Sequence, residues 1–194
     1  MIAGARAGAC LAATLLVAAL AGCAAGSTQG GMDTTAATPQ ASGATTSAPA
    51  KAAPQPTTLA PRPVPGPTAG CPYLTNREAA DLNGQLVSTV RLDTTFDPPA
   101  CFFVIGNRSV QLSVWVFRAS SAAQAAAVVD RAAPIDTADP ASAPAGWMGG
   151  RSGGPTGAVY AVAKGAVAVV VTTNQEQSIK AQRVAERVIG TLAL

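Results

Sequence analysis

Histidine is absent from all 194 residues. With it go the Ser/His/Asp and Cys/His nucleophilic schemes and the commonest metal ligand. Charge is scarce as well: Asp, Glu, Lys and Arg make up 12% of the chain, and aromatic residues 4%. The net charge of +3 is carried mostly ahead of Cys71, where Arg6, Lys51 and Arg62 meet only Asp33. A basic surface for nucleic acid is therefore not indicated. The four cysteines, at positions 10, 23, 71 and 101, contain no CxxC spacing, which argues against a dithiol redox motif or a zinc ribbon. Beyond residue 25 the longest apolar run, 166–171, has strand length and falls far short of the roughly 20 residues a membrane helix needs.

The long apolar stretch lies at the start of the chain. Arg6 supplies a minimal positive region, and residues 7–20 are dominated by Ala, Leu and Val, the layout of a signal peptide. Residues 7–25 also approach the length of a membrane span, so length alone does not separate the two. Leu20-Ala21-Gly22-Cys23 does, because it resembles the lipobox of bacterial lipoproteins and sits where a lipobox follows its apolar region. The resemblance implies removal of residues 1–22, a diacylglyceryl group on the thiol of Cys23, and acylation (palmitate or a similar chain) of the new amino terminus. One acyl chain holds a protein only marginally and two or more hold it stably. The expectation is a lipid-anchored protein on the extracytoplasmic side of the cell membrane.

Residues 24–70 are almost entirely Ala, Thr, Ser, Pro, Gly and Gln. Such a composition offers too little apolar side chain to offset ordering entropy, so 23–70 reads as the lipidated cysteine plus a disordered tether with a reach of roughly 35–40 Å. The Ser/Thr/Pro bias also matches O-glycosylated stalks, beside the plainer reading as a linker. Residues 71–194 then have the usual size of a single domain, about 120 residues. Cys10 leaves with the signal peptide and Cys23 takes lipid. That leaves Cys71 and Cys101, and two thiols in an exported domain favour a disulfide.

Within the domain, Thr75 and Glu78 form a capping box for a short helix that Asn83-Gly84 stops. Residues 86–92 and 101–105 read as strands on either side of the Asp97-Pro98-Pro99 turn region, and Gly106-Asn107-Arg108 suggests a hairpin into 109–117. In that strand Val110, Leu112, Val114 and Val116 face one way, and Gln111, Ser113, Trp115 and Phe117 the other. Ser120 or Ser121 opens an alanine-rich helix through about residue 132, followed by a loop to Gly154, a place to look for function. A second hairpin over 158–163 and 166–173 contains Val169-Val170-Val171, a strand covered on both faces. Asn174 with Gln177 caps a last helix whose stripe is Ile179, Val184, Val188, Ile189 and Leu192. The fold class is α+β: an antiparallel sheet of about five strands with three helices packed on it, in the order α-β-β-β-α-β-β-α.

Cys71-Pro72-Tyr73-Leu74, Cys101 before Phe102, Gly146-Trp147 and Thr173-Asn174-Gln175 give this domain a resemblance to small actinobacterial, mycobacterial-type lipoprotein domains of unknown function. Such domains look similar to the PsbP-like α/β/α sandwich. The resemblance implies a fold and a location, and carries no catalytic residue, cofactor or metal to transfer.

Candidate chemistry is thin. Asp93 with Asp97, or Asp136 with Asp139, are conceivable as acid and base on a cell-wall glycan, but both pairs sit in expected loops, where Asp serves turn geometry. Gly149-Gly150-Arg151-Ser152-Gly153-Gly154 invites an anion-loop reading around Arg151, yet it leads into a strand and lacks the P-loop lysine, which favours a flexible turn. Trp147 and Met148 either cap a core or meet a partner. Trp115, Phe117 and Tyr160 form either an apolar platform on one sheet face or plain core. Asn107-Arg108-Ser109 matches a glycosylation sequon and serves equally as a turn. The functional expectation is a non-enzymatic envelope binding module, with the membrane as one partner through Cys23 and an envelope protein or apolar ligand as the other. A carrier of lipid or another apolar ligand, and a carboxylate glycan hydrolase, are the alternatives.

Overall fold

Thr75 opens the first helix as its sequence predicts. Its hydroxyl accepts from the Glu78 N–H at 3.2 Å, and the Glu78 carboxylate accepts from the Thr75 N–H at 3.0 Å. The Thr75 backbone and hydroxyl and the Arg187 guanidinium pull the Glu78 carboxyl down to about 2. This helix, α1 (Asn76–Asn83), ends at Gly84 in the left-handed region, φ 76°. The computed structural model describes residues 58–106 and 108–194. The signal peptide, the lipobox with Cys23, the tether through residue 57 and Asn107 of the sequon lie outside the described residues.

Then follow β1 (Thr89–Asp93), β2 (Ala100–Val104), β3 (Val110–Arg118), α2 (Ala122–Ala132), β4 (Asp139–Ala141), β5 (Met148–Gly154), β6 (Gly157–Lys164), β7 (Val167–Thr173) and α3 (Ser178–Thr191). The strands form one sheet in the order β1-β2-β3-β7-β6-β5-β4, antiparallel throughout. A three-strand meander and a four-strand meander thus meet along β3 and β7, with α2 carrying the chain from one to the far edge of the other. The α+β class and three helices agree with the sequence. The sheet has seven strands rather than about five, because β4 and β5 occupy the expected loop.

The extra strands escape composition because they are built from residues that usually break strands. Pro140 is tolerated in β4, which is an edge strand. In β5 the glycines answer to close neighbours: a Cβ on Gly149 would lie 2.0 Å from the Ala161 carbonyl oxygen and 2.9 Å from Val129 Cγ1 of α2. One on Gly153 would lie 2.3 Å from the Glu176 carbonyl oxygen. Gly149 to Gly154 is therefore no flexible turn. It is a strand paired with β6 along its length and with β4 over its first half.

Helices cover both faces. Leu112, Val114, Val116, Val169 and Val171 point toward α1 and α3, while Trp115, Ala168 and Val170 point toward Ala125, Val128 and Val129 of α2. The valine run in β7 is buried on both sides as expected. Alternation in β3 fails at its start. Phe103 pairs with Leu112 but Val104 pairs with Val110, so Gln111 is a bulge. The extra residue turns Val110 out to solvent and Gln111 into the core. In α3, Ala181 and Ala185 fill the stripe expected of Ile179, which is 44% exposed. The helix starts at Ser178 with no side-chain cap, because the Thr173 hydroxyl accepts from the Gln175 N–H and holds that segment in a turn.

The bulge feeds a polar network within the core. Gln111 Nε2 donates to the Leu86 carbonyl at 2.9 Å, which keeps residues 86–88 out of β1, where 86–92 was expected. Its Oε1 accepts from Asn83 Nδ2 at 3.3 Å, and Asn83 Oδ1 in turn accepts from the Thr173 hydroxyl. The Tyr73 hydroxyl donates to the Pro99 carbonyl at 2.9 Å, and burial pushes its ionisation up. The Cys71–Cys101 disulfide, with Cα atoms 5.7 Å apart, ties this N-terminal segment to β2. At a separation of 30 residues, loop closure stabilises the fold by about 3–4 kcal/mol in the chain-entropy model.

Composition assigns residues 58–70 to the tether, yet they lie along β1 and α2 as a strap. Gly66 N–H donates to the Leu92 carbonyl at 3.0 Å, Leu92 N–H to Pro67 at 3.0 Å, and Ala69 N–H to Val90 at 3.1 Å. Ala60 is buried in the α2-side core. The strap succeeds without large side chains because it satisfies backbone groups that an edge strand leaves open. Asp93 pins it: the carboxylate accepts from the Val64 N–H at 2.8 Å, from the Thr95 N–H at 3.1 Å and from the Thr95 hydroxyl at 2.6 Å. Burial works against its ionisation, but these donors together outweigh burial and hold the carboxyl below its ordinary value.

Three variants test these assignments. Gly149→Ala is expected to destabilise by about 1–3 kcal/mol, because neither the Ala161 backbone nor α2 can recede freely. Gly154→Ala, with nothing within 4 Å, should stay within about 0.5 kcal/mol of wild type in urea unfolding. Because the folded Asp93 carboxyl is depressed, its contribution is complete above the unfolded value near 3.9 and is lost as pH falls through the lower folded value. Hydrogen exchange should find residues 58–70 less protected in Asp93→Asn than in wild type at pH 7, with β3 and β7 unchanged. That difference should shrink below about pH 4; a difference that persists in acid would contradict the assignment.

Candidate functional site

The buried stripe of α2, formed by Ala125, Val128 and Val129, leaves a flank of the helix free on each side, and a groove runs along each. Ser121 starts the helix by accepting from the Gln124 N–H at 3.2 Å. Nearly every following residue is alanine or valine, so α2 sits low on the sheet with short side chains along its flanks.

The first groove, about 480 Å³, lies between α2 and the β4–β6 side of the sheet. Its walls are Ala122, Ala126, Val129 and Ala133 of the helix and Gly149, Gly150 and Ala163 of the strands. Met148, 75% exposed, and Ile135, 83% exposed, stand at its rim. Asp130 and Asp139 supply the carboxylates that line it. Small side chains make the room: alanine and glycine on both walls leave volume that larger residues would fill.

The second groove, about 220 Å³, lies on the opposite flank, roofed by Arg62 and Pro63 of the strap. Phe102, Trp115, Val128 and Val170 form its apolar walls, and Ser113 and Thr172 share a hydrogen bond of 2.5 Å beside them. Arg131 Nη1 donates to the Ala60 carbonyl at 2.5 Å, and its guanidinium carbon stands 5.9 Å from the Trp115 ring centroid. Desolvation, and then the charge of Arg62, make Arg131 less basic than usual. Phe96, from the turn after β1, stacks edge-on to Trp115 at 5.2 Å.

The residues singled out from sequence do not converge on one site. Trp147 is 2% exposed and belongs to the α3-side core, its backbone N–H donating to the Pro144 carbonyl at 3.0 Å. Met148, the next residue, faces the opposite side of the sheet and lines the first groove. Trp115 and Phe117 lie on the α2 side but Tyr160 lies on the α3 side, so the three make no common platform. They sit on β3 and β6, and the register places their side chains on opposite faces. The Tyr160 hydroxyl donates to the Ala143 carbonyl at 2.6 Å and accepts from the Ala143 N–H at 3.1 Å; burial raises its ionisation despite those bonds. Arg151 lines a separate hollow of about 200 Å³ with Tyr160 and Gln182. Asp93 spends its carboxylate on the strap and Thr95, while Asp97, Asp136 and Asp139 are exposed. Sequence reading missed Arg131, Arg62 and Phe96. Arg131 follows the alanine run of α2 and Arg62 lies in a stretch composed like a tether, so neither gives a local signal, and only the strap brings them together.

Among the described residues, no group of His, Cys, Asp and Glu is placed to hold a metal ion, and no helix is long and apolar enough to cross a membrane. No curated protein matches the chain. The segment that forms the strap, the disulfide, the sheet and both grooves falls within residues 49–194, which match a family described as a domain of unknown function; the chain belongs to that family, DUF2020.

Proposed function

We propose that this protein is a cell-envelope lipoprotein, anchored through lipid on Cys23 on the extracytoplasmic side of the membrane, whose DUF2020 domain works by binding rather than by catalysis. The anchor rests on Leu20-Ala21-Gly22-Cys23 at the end of an apolar leader. The observation that carries the binding reading is the pair of apolar grooves on the two flanks of α2, the kind of concave, mostly apolar surface that binds ligands or peptides. Asp93, already held by the strap and Thr95, is a poor acid or base for glycan hydrolysis, which weakens one of the two carboxylate pairs on which the hydrolase reading rests. Helices on both faces of one antiparallel sheet support the likeness to the PsbP-like sandwich.

A second reading, a carrier of an apolar ligand, is favoured by the roughly 480 Å³ groove lined by alanine, glycine and Met148. In the first reading, cross-linking in cells recovers a defined envelope protein. In the second, native mass spectrometry of detergent-extracted protein finds a co-purified apolar molecule.

Cys23→Ala is expected to leave the domain folded, with unchanged thermal unfolding, and to move the protein from the membrane to the soluble fraction. Retention of that variant in the membrane would overturn the anchor.

A further inference from the structure

Two residues that line the groove beneath the strap each carry a buried hydrogen-bond donor without a partner among the described residues. Trp115 lines it and is 5% exposed, and its indole Nε1 is buried with no partner among the described residues. Arg131 lines it too; its Nη1 is spent on Ala60, but its Nη2 is buried and likewise without a partner among the described residues. Buried donors are nearly always paired, because burial strips their water and the loss is repaid only by an acceptor. The indole N–H can only donate, and so can the guanidinium. What these two side chains lack is an acceptor.

Charge narrows the choice. Arg131 and the exposed Arg62 both line the pocket, close enough that Arg131 feels the charge of Arg62, and among the described residues no Asp or Glu lines it. Two cations and no counter-ion beside a partly desolvated hollow favour an anion. Apart from the Ser113 and Thr172 hydroxyls, which bond each other, the rest of the wall is apolar, with Phe102, Trp115, Val128, Ala132, Val159 and Val170. The volume, about 220 Å³, equals on the order of seven water molecules, enough for one ring or short chain bearing one charged group. We propose that this pocket binds a small carboxylate carried on an apolar body, its oxygens taken by Arg131 and the Trp115 indole, its body against Phe102 and Val170, and the strap closing over it.

This assignment rests on the reading of the domain as a binding module and names one ligand class for it. The probe is benzoate, added to the isotope-labelled full chain in detergent, with the indole N–H resonances as the readout. Trp147 lies on the opposite side of the sheet and serves as the internal reference; Trp115→Phe identifies which resonance is which. Benzoate should move the Trp115 resonance saturably and leave that of Trp147 in place. Benzyl alcohol, the same body without the charge, and sulfate, an anion without the body, should each bind at least tenfold more weakly. Arg131→Met, which keeps the apolar stem, should weaken benzoate roughly tenfold or more while the remaining amide spectrum shows the fold intact. No shift at millimolar benzoate, equal affinity for sulfate or benzyl alcohol, or full affinity in folded Arg131→Met would each overturn the proposal. Recovery of a cross-linked envelope partner by a protein that ignores benzoate would sink this site and leave the broader binding reading standing.

Discussion

The pairing of β3 with β7, in register from Leu112↔Thr173 to Arg118↔Val167, is the contact on which the rest of the molecule depends. Each meander alone would present two unpaired edges and a sheet too narrow to cover with helices. Joined, they give a central pair of strands whose valines alternate between two cores. The joint is also the least local strand pairing in the sheet, since α2 and three strands separate its halves in sequence, and closing such a contact costs entropy before it returns any burial. Helix α2 spans that gap. It must lie flat on the second meander, and its alanines and the glycines of β5 allow it to do so.

That close approach explains which elements could be read in advance. The capping box at Thr75, the two-sided valine run of β7 and the alanine helix α2 follow from local pattern, and each stands where the pattern puts it. Strand β5 does not, since Met-Gly-Gly-Arg-Ser-Gly-Gly has almost no strand propensity of its own. Its conformation is dictated from outside, by α2 on one face and the segment before α3 on the other. The bulge at Gln111 was hidden for a similar reason: period-two alternation cannot anticipate an inserted residue that reverses the faces of those before it.

Less of the site than of the fold was legible. Trp147 and Tyr160 drew notice as large aromatics among small residues, and both are core. Met148 does reach a groove. The donors that lack partners are on Trp115 and Arg131, and the second was invisible in sequence because a lone arginine late in an alanine helix looks like solvent-facing charge at a helix end. Its surroundings are supplied by Ala60, Arg62 and Pro63, from a stretch whose composition resembles linker. Order there comes from backbone hydrogen bonds to β1 and from Asp93, and composition records neither.

The strap also sets the path by which force would enter the domain. In a chain held by its N-terminal end, tension arrives at Thr58, whose carbonyl accepts from Gln124 on α2. It passes next to Ala60 on Arg131, then to Val64 on Asp93, and only afterwards to the ladder with β1. These attachments lie in series and load one after another. A pull therefore peels the covering of the Arg131–Trp115 hollow before it strains any strand, so the first part of the molecule to yield under load is the roof of that hollow, with the sheet beneath still whole.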